Sequence, residues 1–188
     1  MSEYPARKPM RLKNYDYSAP GVYFITVCTG DKRCILSGIS NAPEMDAASD
    51  ILKMGAGDGV APPVINLTEI GKLVEEQIQA LPARIPGLVI ERYVIMPNHI
   101  HLLIKLTDTE SGGASPSPTG RMGIVDAVRI LKSQTTRLSG TSHLWQRSFY
   151  DHIVRNQTEY NDIAEYIDAY PARWLDDRFF PKYTELKM

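Results

Sequence analysis

The residues best placed to do chemistry in this 188-residue chain are two histidines inside an apolar run, Tyr93-Val94-Ile95-Met96-Pro97-Asn98-His99-Ile100-His101-Leu102-Leu103-Ile104. Side chains two apart on a strand project from the same face, so His99 and His101 can offer two imidazoles to one metal ion. Burying two unpartnered imidazoles among aliphatic neighbours is costly, which favours a shared ligand. Two protein ligands leave coordination positions open, an arrangement suited to catalysis rather than to a closed structural site. Neither cysteine completes a zinc-ribbon spacing, and the sequence contains no HExxH.

A nucleophile would have to be sought among ten tyrosines. Three of them, Tyr160, Tyr166 and Tyr170, fall in the last helical segment, and Tyr150 lies just before it. Tyr166 and Tyr170 are four apart and share a helical face. A tyrosine on an amphipathic helix is most often a core residue with a wet hydroxyl, so spacing alone does not choose among them.

The elements that must carry these groups are legible in outline. Gly21–Thr29 alternates as a strand, and Arg33–Ile39 is expected to return beside it as a hairpin around Gly30-Asp31. Cys28 and Cys34 would flank that turn and are read as small buried residues rather than a disulfide. Thr68 is expected to cap a helix with Ile70, Leu73, Val74, Ile78 and Leu81 on one face, stopping near Pro82–Pro86. Leu88–Met96 and His99–Leu106 read as antiparallel strands separated at Pro97-Asn98.

Met122–Leu138 reads as an amphipathic helix with Ile124, Val128, Leu131 and Thr135 inward. Leu144–Arg155 looks extended, with Trp145, Phe149 and Tyr150 either packed or stacked on a ligand. Asn156 and Glu159 then have the spacing of a capping box for a helix over about Gln157–Tyr170, ended by Pro171. This order predicts an α+β fold, an antiparallel sheet with helices on one side. Length fits a single domain over 1–188, with flexible insertions at 41–63, broken by Gly and Pro, and at 107–120, rich in Gly, Ser, Pro and Thr.

Net charge is −1, which argues against indiscriminate coating of nucleic acid and leaves local patches open. Between Gly120 and Arg155, six basic residues (Arg121, Arg129, Lys132, Arg137, Arg147, Arg155) face two acidic ones (Asp126, Asp151). The first residues add Arg7, Lys8, Arg11 and Lys13. No run is apolar enough to cross a bilayer and no secretory pattern opens the chain, so a cytoplasmic protein without a membrane partner is expected.

Three blocks stand in order: Lys13-Asn14-Tyr15-Asp16-Tyr17-Ser18-Ala19-Pro20-Gly21-Val22-Tyr23-Phe24-Ile25-Thr26-Val27-Cys28-Thr29, the MPNHIHLLI block, and Trp145–Arg155 followed by Glu165-Tyr166-Ile167. Together they resemble the REP-associated tyrosine transposases, single-tyrosine relatives of insertion-sequence transposases within the HUH endonuclease superfamily. The resemblance implies a ferredoxin-like or RRM-like sheet with His99 and His101 on a central strand, facing a C-terminal helix that bears the nucleophile. The residue matching that nucleophile is Tyr166. Its phenolate would attack a DNA phosphate and leave a 5′-phosphotyrosine and a free 3′-hydroxyl. The implied cofactor is a divalent ion, Mg²⁺ or Mn²⁺, and the implied partner is single-stranded or hairpin DNA at palindromic repeats, bound by a monomer or homodimer.

Relatives place an amide one helical turn after the tyrosine, where this chain has Tyr170. His152 and Tyr170 are therefore the candidates for a third ligand. Phosphate contacts are expected from Lys132, Arg137, Arg147 and Arg155, with Arg7, Lys8 and Arg11 reading the hairpin as in the family. The rival readings are a catalytically silent DNA-binding module of the same fold and a metal-dependent nuclease or RNA-processing protein without a covalent intermediate.

Overall fold

The structure, a computed structural model, describes residues 15–40, 63–108 and 121–176. The expected insertions at 41–63 and 107–120 lie outside these, apart from residues 63, 107 and 108, as do Arg7, Lys8, Arg11 and Lys13. Four strands form the main sheet: β1 (Gly21–Cys28), β4 (Leu88–Ile95), β5 (His99–Leu106) and β6 (Tyr150–Val154), in the order β4-β5-β1-β6 and antiparallel throughout. With helices α1 (Glu69–Gln79) and α3 (Ile124–Ser139) in the two crossovers, the path is the βαββαβ order of a ferredoxin-like sheet. β5 is buried along nearly its whole length, which is why its sequence is apolar on both faces rather than alternating.

Each face has its own core. Tyr23, Ile25 and Val27 of β1 and Ile100, Leu102 and Ile104 of β5 meet α1 and α3 on one side, together with Leu131, Leu144, Trp145 and Phe149. Helix α1 starts where expected, with Thr68 Oγ1 accepting the Gly71 N–H at 3.1 Å. Gly71 lets the helix press onto the chain at Leu36: a Cβ there would stand 1.9 Å from the Leu36 carbonyl oxygen. A short helix α2 (Leu81–Arg84) follows. In α3, Ile124, Val128, Leu131 and Thr135 are buried as the periodicity predicts, and the Asp126 carboxylate accepts the Gly123 N–H at the helix start.

The opposite face carries Phe24, Val94, Met96 and Leu103, covered by α4 (Gln157–Ala169) and the 3-10 turn Tyr170–Asp176, where Pro171 has no N–H to continue the α-helical ladder. Asn156 caps α4 by accepting the Glu159 N–H. The Glu159 side chain departs from the expected capping box, accepting from Arg155 N–H at 2.7 Å, one residue earlier than the cap itself.

The expected hairpin from Arg33 to Ile39 does not form. The chain turns through Gly30–Lys32, with positive φ at Asp31 and Lys32, and β2 (Ser37–Ser40) pairs instead with β3 (Val64–Leu67) in a separate two-stranded sheet. The reason is occupancy: β5 and β6 already take both edges of β1. With the hairpin absent, Cys28 is half-buried and Cys34 exposed, rather than both being buried.

Candidate active site

β5 places His99 and His101 on the α4 face, both fully buried. Their Nε2 atoms stand 3.2 Å apart. Each ring is held from its far side. His99 Nδ1 lies 2.9 Å from Asn98 Oδ1, and the Asn98 amide nitrogen donates to the Lys32 carbonyl at 3.3 Å, so the oxygen faces the ring and accepts from Nδ1–H. In a neutral ring this tautomer turns the Nε2 lone pair of His99 toward His101 Nε2. His101 Nδ1 lies 2.9 Å from Thr26 Oγ1, supplied by β1 directly across the ladder. Phe24 stacks on His101 at 5.1 Å between centroids.

Two imidazole nitrogens 3.2 Å apart match the bite of one ion held about 2.1 Å from each. The donor pair fits a divalent metal, and the oriented Nδ1 positions are what a ligating histidine needs. Among the described residues no group of three or more His, Cys, Asp or Glu side chains gathers as a metal cluster. His152 is on the same sheet face, opposite Phe24 on β6, but its Nε2–H donates to Glu159 Oε1 at 2.6 Å. It ties α4 to the sheet, and the structure does not bring it together with His99 and His101.

The tyrosines of the last helix separate clearly. Tyr160 donates to Glu91 of β4 at 3.0 Å, and desolvation followed by that carboxylate raises its pKa. Tyr166 contacts His101, with centroids 5.6 Å apart, and is 38% exposed. Tyr170, 5% exposed, stands edge-on to both histidines and 4.7 Å from the Tyr166 ring. Trp174 closes the far side against His99 at 6.0 Å. Trp174 was not singled out from sequence; its place four residues after Tyr170, just past a proline, is the one signal it left.

The basic residues fall elsewhere. Lys132, Arg137 and Arg147, with Arg129, line a groove of about 580 Å³ between α3 and the segment leading into β6, on the side of the sheet away from the histidines. Lys132 Nζ donates to the carbonyls of Gln146 and Ser148, each at 2.8 Å. Arg137 donates to Gln134 at 2.8 Å. Arg155 is exposed between β6 and α4. Trp145 and Phe149 are in the core, whereas Tyr150 is exposed.

No protein-family model matches the chain. An uncharacterized protein of Haemophilus influenzae is 28% identical over 188 residues, spanning 93% of each chain. A REP-associated tyrosine transposase of Escherichia coli K12 is 27% identical over 84 residues, 45% of this chain and 44% of that one. Among solved structures, a REP-associated tyrosine transposase bound to a REP hairpin superposes with a TM-score of 0.54 over 92% of this chain and 74% of its own, at 20% identity. The chain has the fold of that transposase and resembles the family in sequence over less than half its length.

Proposed function

We propose that this protein is a metal-dependent DNA strand transferase of the REP-associated tyrosine transposase kind, cutting and rejoining one strand at palindromic repeats. The observation that carries this reading is a half-exposed tyrosine, Tyr166, in ring contact with one of two buried histidines whose Nε2 atoms are spaced for one ion. His99 and His101 would hold Mg²⁺ or Mn²⁺, which draws charge from a phosphate when bound. Tyr166 gives up its phenolic proton and its oxygen bonds to phosphorus. The bond from phosphorus to the 3′ oxygen breaks, and that oxygen takes up a proton as a free 3′-hydroxyl. The 5′-phosphotyrosine conserves the phosphodiester, so attack by a 3′-hydroxyl rejoins strands without ATP.

DNA would contact the protein through Arg137 and Arg147 in the α3 groove and through Arg155 at the start of α4, with Arg7, Lys8 and Arg11 outside the described residues. No described helix is long and apolar enough to cross a membrane. A second reading, a DNA-binding module that no longer cleaves, draws on Tyr170 standing at the sequence position where the resemblance leads one to expect an amide ligand.

The test is incubation of wild type and Tyr166→Phe with labelled single-stranded repeat DNA and Mn²⁺ or Mg²⁺, run on a denaturing gel. A covalent band that needs metal and vanishes in the variant is the expected result. Cut DNA without an attached protein would replace the transferase with a nuclease, and bound but intact DNA would leave only the binding module.

A further inference from the structure

Pairing across the main sheet sets residues in rows, and one row runs Val94, His101, Thr26, Tyr150 from β4 to β6. Directly opposed residues in antiparallel strands project from the same face. Tyr150 therefore stands on the face of the histidine pair, with Thr26, the residue that holds His101 Nδ1, between them. The two outer members of the row differ in what covers them. Val94 is buried under α4, while Tyr150, on the edge strand, is 47% exposed. Its neighbours Trp145 and Phe149 are buried in the opposite core, so of the three aromatics in this segment only Tyr150 turns its ring to solvent beside the site.

We infer that Tyr150 is a stacking platform for an unpaired nucleobase next to the reacting phosphate. The inference rests on the proposed strand-transfer reading. Two strand spacings, about 10 Å, separate His101 from Tyr150, so a strand whose phosphate lies at the histidines can lay a nearby base on the phenol ring. Exposed Arg155 directly follows β6 in the chain, a cation at the end of this edge strand for a polyanion that passes along it. A base within a duplex has both faces covered by its neighbours and offers none to the ring, whereas an unpaired base gains by stacking whatever its identity.

The test is binding of labelled single-stranded repeat DNA, by anisotropy, to wild type, Tyr150→Ala and Tyr150→Trp, with a set of oligonucleotides each carrying one abasic site. Tyr150→Ala should weaken binding about tenfold, and Tyr150→Trp should restore it. One abasic position should weaken wild type by the same factor and cause no further loss in Tyr150→Ala. Equal affinity of Tyr150→Ala and wild type, with thermal melts showing both folded, overturns the inference, as does an alanine loss that adds to every abasic site. The covalent gel assay separates the two readings. A tyrosine adduct with no Tyr150 effect removes the platform alone, and a position-specific Tyr150 effect without an adduct removes the transferase alone.

Discussion

The ring of Tyr170 stands at 90° to that of His101, with centroids 4.6 Å apart, closer to the histidine than the Tyr166 ring at 5.6 Å. Such edge contacts contribute about 0.5–1.5 kcal/mol beyond burial, so Tyr170 wedges the imidazoles in place whether or not its oxygen meets a metal. A neutral phenol is a weak ligand, and Tyr170→Phe should keep Mn²⁺ affinity within about threefold of wild type by calorimetry. Removing the hydroxyl should cost about 1 kcal/mol of stability or less. A loss of tenfold or more in affinity would instead make the hydroxyl the third ligand. Tyr170→Ala, which removes the wedge, should cost about 3 kcal/mol in denaturant unfolding.

Asn98 is one residue from His99 and fixes it. Its amide oxygen accepts from Nδ1, and its own amide nitrogen is anchored to Lys32. Asn98→Ala frees the ring to turn, and partners of this kind are worth about 10–100-fold in metal affinity. Mn²⁺ binding by calorimetry should fall in that range while the fold persists. Unchanged affinity would show that Nδ1 is held by something other than this amide.

Glu159 supplies a pH dependence. The Arg155 backbone N–H, followed by the His152 hydrogen bond, holds its carboxyl below the ordinary value of 4.5. A carboxyl depressed in the folded state stabilises the fold above its unfolded pKa, and this contribution is lost as pH falls through the folded value. Glu159→Gln should therefore lower the thermal midpoint at neutral pH and match wild type once pH has fallen through the folded value of the Glu159 carboxyl. A variant difference that persists in acid would locate its cause in packing rather than charge.

The strands and helices that frame the site were legible because each carries a local signal: alternation in β1, caps at Thr68 and Asn156, helical spacing in α3. The pair His99 and His101 was legible for the same reason, since period two fixes a shared face wherever the strand lies in a sheet. What sequence did not disclose were relations set by the whole sheet. The segment Arg33–Ile39 has the composition of a return strand, but β1 has no vacant edge. Cys34 looked like a small buried residue beside that turn and is exposed once the hairpin is gone. His152 lies in a block that made it a candidate third ligand, yet the hydrogen bond it makes is to Glu159, a residue seven positions on that only the docking of α4 brings within reach.

Local charge excess also pointed to Lys132 and Arg147 alike, and the structure gives them different work. Lys132 Nζ gathers the Gln146 and Ser148 carbonyls and lies 5.8 Å from the centre of the Phe149 ring, holding the segment that leads into β6. Arg147 projects from that segment and is exposed. Lys132→Ala should act first on stability, costing about 1 kcal/mol through the charge-assisted hydrogen bonds that hold this segment to α3. Arg147→Ala should leave stability within about 0.5 kcal/mol and weaken DNA binding alike for all sequences, lowering the slope of log affinity against log salt by about 1. Denaturant melts beside binding measured at several salt concentrations distinguish the two. If Lys132→Ala changed the salt slope as much as Arg147→Ala with no loss of stability, its ammonium would have to leave the carbonyls for phosphate when DNA binds.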